Sequence, residues 1–220
     1  LVVPFASGVA EETGRRQSEE FRNLGCKSAD YIYCAKDSID SPENLAKLDG
    51  VTAIFFSGGD QVILSSYLEG TKFLEKIREI YKNGGVVSGT SAGAAIMSRI
   101  MLTGTSRSDT SDMPEFNYIK AGDVVTAKGF GFLSNVIVDQ HFITRKRQLR
   151  LINVLLDNPG YRGIGIDEES AIVVKPDNSM EVIGNNNVML FEPYKQTNEN
   201  GKKTKSFKLT ILYPGDIYKF

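Results

Sequence analysis

Val86–Met97 reads VVSGTSAGAAIM, and this stretch decides how the rest of the chain is interpreted. A short apolar run ends in small residues, Ser91 stands between Gly89 and Gly93, and an alanine-rich helical pattern follows. This is the G-x-S-x-G arrangement of a strand-to-helix turn, where a strained backbone presents a nucleophilic hydroxyl beyond the sheet edge. The helix behind it would direct N–H groups and partial positive charge toward the group under attack. The alternative is a tight glycine-rich turn that contains a serine by chance.

The composition is that of an ordinary globular protein. The 220 residues suffice for one α/β core, and a net charge of −1 gives no reason to expect nucleic acid or a membrane as partner. No apolar run reaches the ~20 residues of a membrane span. Cys26 and Cys34 are expected to be small core residues rather than a disulfide, and we predict no metal and no cofactor. Leu1–Phe5 already reads as a strand rather than a signal peptide, so we expect that an N-terminal strand is missing from this sequence. We expect a cytoplasmic protein, with secretion as the alternative, because a targeting signal would have been lost with that segment.

Strands and helices alternate along most of the chain and indicate βαβ units around a mainly parallel sheet. Functional residues of such sheets gather at the carboxyl ends of the strands. Turn clusters between short runs after Val174 indicate a small antiparallel appendix, and we predict a single α/β domain, residues 1–220, with a mobile loop at Thr103–Glu115. The predicted strands are Leu1–Phe5, Ala29–Cys34, Val51–Phe56, Val86–Ser88, Asn135–Asp139, Gly163–Ile166 and Ala171–Val174, and the predicted helices are Glu11–Leu24, Pro42–Leu48, Thr71–Lys82 and Thr144–Leu156.

A serine nucleophile needs a base, and the chain contains one histidine, His141, at the end of a predicted strand. A lone histidine is more often structural, but this one falls at the same sheet edge as Ser91. A carboxylate must orient the imidazole, and the candidates are Asp167, Glu168 and Glu169; the buried pattern before them favours Glu168. The order serine, histidine, acid differs from that of α/β-hydrolases.

Four blocks of the sequence resemble the cyanophycinase family, which belongs with aspartyl dipeptidase E in one serine-peptidase family. They read FFSGGDQ at 55–61, GTSAGA at 89–94, DQHF at 139–142 and GIGIDE at 163–168. The threonine at position 90 is the cyanophycinase form, whereas dipeptidase E has tryptophan there and lacks the DQHF block. The resemblance implies a three-layer, class I glutamine amidotransferase-like fold, similar to flavodoxin, with helices on both faces of the sheet.

The same resemblance implies the roles of individual residues. Ser91, His141 and Glu168 would form the catalytic triad. The turn after Phe56 ends a strand near the serine, and the N–H groups of Gly59 and Ala92 would form the oxyanion hole; a plain strand-ending turn is the alternative. The residues implied to line the substrate pocket are Gln61, Asp139, Gln140, Arg145 and Arg150.

The implied substrate is cyanophycin, a polyaspartate whose side chains carry arginine and whose cleavage releases β-Asp-Arg. Its α-carboxylate suits a bidentate guanidinium, which Arg145 or Arg150 would supply, whereas Lys146 and Arg147 are interpreted as a solvated helix face. The substrate arginine would need a carboxylate in return, and the candidates in the polar loop are Asp109, Asp112 or Glu115.

Three functions therefore remain open from the sequence. The first is a serine exopeptidase that acts on cyanophycin, and the second is a dipeptidase for small aspartyl or isoaspartyl peptides. The third is a non-catalytic amidotransferase-like binding module, against which the intact serine, histidine and glutamate argue. The expected partners are a peptide or cyanophycin substrate and a second copy of the chain in a homodimer.

Overall fold

Alternating strands and helices build the first part of the chain. The computed structural model describes residues 1–111 and 114–220, which divide into two units, Leu1–Ile96 and Met97–Phe220. In chain order the first unit contains β1 (Val2–Val3), α1 (Ala10–Asn23), a 3-10 turn (Lys36–Ser38), α2 (Pro42–Ala46), β2 (Ala53–Phe56), α3 (Gln61–Leu68), α4 (Lys72–Lys82), β3 (Val86–Gly89) and α5 (Ala92–Ala95).

The three strands of this unit form a parallel sheet in the order β1-β2-β3. Phe56, the last residue of β2, pairs with Gly89, the last residue of β3. The two glycine-rich turns that follow these strands therefore leave the sheet side by side. This is the carboxyl edge at which the sequence predicts the functional residues of the unit.

Side-chain hydrogen bonds cap the N-termini of two helices in the first unit. The Ser41 hydroxyl accepts a hydrogen bond from the N–H of Asn44 at 3.3 Å, and the Thr71 hydroxyl accepts one from Leu74 at 3.1 Å. Phe73, Leu74 and Ile77 of α4 are buried, whereas Tyr81 near its C-terminus is 43% exposed. The predictions of α1, α2 and α4 are thus confirmed to within a few residues.

Two features of the first unit differ from the prediction. The strand predicted at Ala29–Cys34 is wrong, because only Tyr31 forms a bridge, to Val2, and the neighbouring residues make no ladder. Helix α3 was not predicted, although its signal is present: the Asp60 carboxylate caps it by accepting the N–H groups of Val62 and Ile63 at 2.7 and 3.2 Å. The helix start was missed because Gly58 and Gly59, directly before Asp60, are typical of a turn.

A mixed sheet in the order β13-β10-β7-β6 lies in the second unit. Within it β6 and β7 are parallel, whereas β10 runs antiparallel to both β7 and β13. Together with the flanking helix this makes the chain an α/β protein. The elements of the unit are β4 (Ile100–Ser106), β5 (Val124–Lys128), β6 (Val136–Gln140), α6 (Gln148–Asp157), β7 (Arg162–Ile166), β8 (Ser170–Val174), β9 (Ser179–Gly184), β10 (Val188–Phe191), β11 (Lys195–Glu199), β12 (Lys202–Ser206), β13 (Leu209–Leu212) and β14 (Ile217–Lys219).

Antiparallel pairing dominates the C-terminal strands, which confirms the predicted appendix. Strands β8, β9 and β14 form one small sheet, and β11 and β12 form a separate hairpin. Every residue of the two hairpin strands is exposed. Among the helices of the described residues, none is long and apolar enough to cross a membrane.

The polar segment after Leu102 is only partly a loop, contrary to the prediction. Strand β4 extends to Ser106, because its polar side chains find partners on the neighbouring segment: Thr103 Oγ1 donates to the carbonyl of Val125 at 2.9 Å, and Ser106 Oγ donates to the buried Asp123 at 2.8 Å. Helix α6 begins only at Gln148, four residues later than predicted.

Candidate active site

Ser91 lies in a strained elbow between β3 and α5. Its φ of 51° and ψ of −110° are unusual for a residue with a side chain. A Cβ on Gly89 would lie 2.5 Å from the carbonyl oxygen of Gly93, and one on Gly93 would lie 2.1 Å from that of Phe56. Both flanking positions therefore require glycine for steric reasons, which is the feature that separates a nucleophile elbow from an ordinary turn.

The turn after β2 packs directly against this elbow. A Cβ on Gly58 would lie 3.3 Å from the Cβ of Ser91, and Gly59 adopts a φ of 134°. Gln61, the first residue of α3, is buried close behind this turn. One expectation needs correction: α5 is only four residues long, so the partial positive charge at its N-terminus is small.

His141 follows the last residue of β6 and is oriented by Glu168. The parallel register pairs Gln140 with Ile166, so His141 and the acids after β7 leave the sheet at the same edge. The imidazole Nδ1 lies 2.8 Å from Glu168 Oε1, and Asn186 holds the segment by donating to the Glu168 carbonyl at 3.0 Å. A carboxylate at Nδ1 leaves Nε2 as the nitrogen that exchanges protons.

The three acids after β7 have different environments. Asp167 is the buried one, with its Oδ1 accepting the N–H groups of Ile143 and Thr144 at 3.1 and 3.0 Å. Burial alone would raise the pKa of Asp167, but these hydrogen bonds outweigh it and lower the pKa. Glu168 is 44% exposed at its side chain, so the reason for which the sequence favoured it, burial, is wrong even though it is the acid that contacts the histidine.

Asp139 and Arg150 form a buried ion pair immediately before the histidine. Arg150 Nε donates to Asp139 Oδ2 at 3.0 Å, its Nη2 donates to Oδ1, and the two residues are 4% and 1% exposed. Arg150 Cζ also lies over the ring of Phe116, 5.9 Å from the ring centroid. The fork of Arg150 is thus already occupied by a carboxylate of the protein, which favours a supporting role over the predicted contact with substrate.

The two other arginines differ in their surroundings, and for Arg147 the prediction is wrong. Arg147 is not on a solvated helix face: it precedes α6, its side chain is 18% exposed, and its Nη1 donates to the carbonyl and to the amide oxygen of Gln140 at 2.6 and 2.5 Å. Burial, with the nearby charge of Arg150, lowers the pKa of Arg147 to about 10. Arg145 is exposed, and no described residue makes a hydrogen bond or an ion pair with its guanidinium.

Polar side chains of the loop after β4 line an open depression of about 630 Å³. Asp109 uses both carboxylate oxygens within this loop, accepting the N–H groups of Ser111 and Glu115 at 3.0 Å each. Glu115 accepts the amide of Asn117 at 2.7 Å. Asp112, the third carboxylate predicted to bind the substrate arginine, lies outside the described residues.

A strained serine elbow and a strand-terminal histidine–carboxylate pair are together the features of a serine peptidase. The sequence profile of Peptidase family S51 matches residues 1–182. The chain belongs to Peptidase family S51, and it is accordingly a hydrolase of the serine-peptidase type.

Relatives of known name agree with this assignment. The chain is 32% identical, over an alignment 227 positions long, to a cyanophycinase of Synechococcus elongatus, covering 99% of this chain and 68% of the relative. It is 33% identical over 228 residues to the cyanophycinase of Geminocystis herdmanii, covering 99% and 80%. Peptidase E of a Nostoc species is 27% identical over 192 residues, covering 86% and 74%. In fold, the chain resembles the crystal structure of a peptidase from an acI-B1 actinobacterium, with a TM-score of 0.71, 24% identity and coverage of 100% and 82%.

Proposed function

We propose that the protein is a serine-type exopeptidase that hydrolyses cyanophycin to β-Asp-Arg dipeptides with Ser91, His141 and Glu168 as its catalytic triad. The observation that carries the proposal is the 2.8 Å contact between His141 Nδ1 and Glu168 Oε1 at the end of a parallel strand pair. This contact leaves Nε2 to act as the base, and Ser91 occupies an elbow whose neighbours are sterically confined to glycine.

In the proposed reaction the Ser91 hydroxyl attacks the scissile carbonyl carbon and transfers its proton to His141. The N–H groups of Gly59 and Ala92 stabilise the negative oxygen that forms. His141 then gives the proton to the leaving amine, and water hydrolyses the acyl-enzyme by the same route in reverse. Glu168 stabilises the imidazolium at each step.

The substrate proposal depends on the cationic groups beside the histidine. An enzyme that acts at the end of a chain must bind a charged terminus, and Arg145 offers an exposed guanidinium that no described residue occupies. The α-carboxylate of a β-Asp-Arg unit is a suitable ligand for it. Gln61 remains a candidate for a further contact with the substrate. Two relatives named cyanophycinase, each aligned over 99% of this chain, support this substrate class.

A second candidate function is a peptidase for small aspartyl or isoaspartyl dipeptides. The specific observation in its favour is the 27% identity to a protein named Peptidase E, over 86% of this chain. Both candidates use the same catalytic groups and differ in whether the site admits a polymer end.

The experiment that separates the two is incubation with purified insoluble cyanophycin, followed by mass analysis of the soluble products. A parallel assay offers Asp-X and β-Asp-X dipeptides, and Ser91→Ala serves as the control for both. Release of β-Asp-Arg from the polymer supports the first function. Cleavage of dipeptides alone supports the second, and no cleavage by a protein whose serine reacts with a fluorophosphonate contradicts both substrate classes.

We also propose the three-layer, class I glutamine amidotransferase-like arrangement, which the fold similarity at a TM-score of 0.71 supports. A single domain over residues 1–220, a homodimer and a cytoplasmic location stay predictions. Size-exclusion chromatography with light scattering tests the homodimer directly.

A further inference from the structure

A set of charged and polar groups surrounds the strand end that precedes the histidine, and we call it the β6 clamp: Asp139, Gln140, Arg147 and Arg150. At its base, Arg150 donates twice to Asp139, and both residues are almost completely buried. Because the guanidinium engages both oxygens, the Asp139 carboxylate has one orientation. Asp139 Oδ1 uses that orientation to accept the N–H of Gln140 at 2.9 Å.

The second half of the clamp acts on the next peptide group. Arg147 Nη1 donates to the backbone carbonyl of Gln140 at 2.6 Å. That carbonyl belongs to the peptide bond that enters His141. The same nitrogen donates to the side-chain oxygen of Gln140 at 2.5 Å, so Arg147 also fixes the side chain of that residue.

The backbone of His141 needs such support. Its φ is 51°, in the left-handed region, which is unfavourable for a residue with a Cβ and persists only where the surroundings enforce it. On the C-terminal side of His141, the Phe142 N–H donates to the Ile166 carbonyl at 3.2 Å, and the Arg145 N–H donates to the His141 carbonyl at 3.0 Å. The clamp fixes the peptide group that precedes His141, and these two hydrogen bonds fix the peptide group that follows it.

We propose that Asp139, Arg147 and Arg150 are positioning residues, which hold His141 in the backbone conformation that brings Nδ1 to Glu168, and that none of them binds the substrate. The proposal rests on the proposed role of His141 as general base. It reassigns Asp139 and Arg150, which the sequence placed in the substrate pocket. The competing explanation is that these arginines bind a substrate carboxylate.

A serine-directed fluorophosphonate distinguishes the two explanations, because its reaction with Ser91 requires the base but involves no substrate carboxylate. We expect Arg147→Gln and Asp139→Asn to slow labelling by roughly 10–100-fold, the scale of a displacement of about 1 Å at a catalytic group. On a soluble peptide that contains several linked β-Asp-Arg units, kcat should fall by a similar factor and KM should change by less than about 3-fold. Arg150→Lys keeps the positive charge, so it should slow labelling less than Arg147→Gln and Asp139→Asn do.

The imidazole itself provides a readout that is independent of activity. His141 is the one histidine of the 220 residues, so a protein labelled at histidine gives a single imidazole signal by NMR. We expect the clamp variants to shift or broaden that signal. The matched control is Arg162→Lys, which alters an ion pair with Glu192, 3.1 Å long, at the opposite end of β7, and it should leave both the signal and the labelling rate unchanged.

Several outcomes decide the proposal. Normal labelling and an unchanged imidazole signal, with KM raised, would overturn it in favour of substrate binding. If the variants that remove one charge do not fold, the double variant Asp139→Leu/Arg150→Met removes both charges of the ion pair at once. Labelling of that double variant at the wild-type rate would also overturn the proposal. A disturbed imidazole signal with normal labelling would support the clamp and contradict His141 as the base, which separates this proposal from the proposed function.

Discussion

Replacement of Gly93 by alanine tests the elbow most directly. A Cβ at this position would lie 2.1 Å from the carbonyl oxygen of Phe56, whereas ordinary van der Waals contact begins at 3.4 Å. Because real Cβ atoms essentially never approach another atom closer than 3.0 Å, the elbow must move by about 0.9–1.3 Å relative to the end of β2. Because a displacement of about 1 Å at a reacting group reduces the rate on the order of 10²-fold, we expect kcat/KM of Gly93→Ala to fall by roughly that factor. Overpacking should also lower the free energy of unfolding by about 1–3 kcal/mol.

The assay is the rate of fluorophosphonate labelling at Ser91, together with peptide hydrolysis, both corrected for the folded fraction by circular dichroism. Gly8→Ala is the matched control, because nothing lies within 4 Å of a Cβ at that position. It should label at the wild-type rate. A Gly93→Ala variant that also labels at the wild-type rate would refute the reasoning, since the elbow would then tolerate a displacement that the structure says it cannot avoid.

Three other changes test the site. Ser91→Ala should change the free energy of unfolding by no more than about 0.5 kcal/mol and lower kcat by roughly 10⁴–10⁶-fold in a product assay; retention of a tenth of the activity would exclude it as nucleophile. Glu168→Gln should lower kcat in single-turnover experiments by about 10²–10⁴-fold, toward the smaller value because water reaches the half-exposed carboxylate. Hydrogen bonds lower the pKa of Asp167 despite its burial, so its carboxylate stabilises the fold above its ordinary pKa and loses this contribution as the pH falls through the lowered one. Asp167→Asn should therefore be less stable than wild type at pH 7 in denaturant titrations, by a margin that shrinks in acid; a margin independent of pH would contradict this account.

The local features of the fold could be predicted because short-range chemistry determines them. Ser41 and Thr71 mark helix starts through hydrogen bonds that span three residues, and the glycines around Ser91 report a steric requirement at the same position. The strand predicted around Tyr31 failed because a strand exists only where a partner continues the ladder, and that partner lies far away in sequence. The hydrophobic pattern of a segment does not show whether another strand lies beside it.

For the charged groups of the site too, the residue types could be predicted from the sequence but their partners could not. The sequence identifies His141 as the sole imidazole, but not that Asp139 and Arg150 consume each other's hydrogen bonds. The misjudged residue is Arg147: the sequence assigns it to a solvated face of a helix predicted to begin at Thr144, but the helix begins at Gln148, after Arg147. An error in one helix boundary reverses which side chains face the protein, because each residue adds about 100° of rotation.

The hairpin of β11 and β12 has a consequence for the behaviour of the protein in solution. All of its strand residues are exposed, so it has no apolar face, and both of its outer edges present backbone groups that another chain could pair with. Four lysines, at positions 195, 202, 203 and 205, cover these two strands against a single glutamate, Glu199. Lysine on an exposed edge opposes edge-to-edge association through charge repulsion and the hydration of the ammonium group. Lysine acetylation or strong alkali would remove these charges, so the two edges of the hairpin would lose the protection that they give against pairing with another chain.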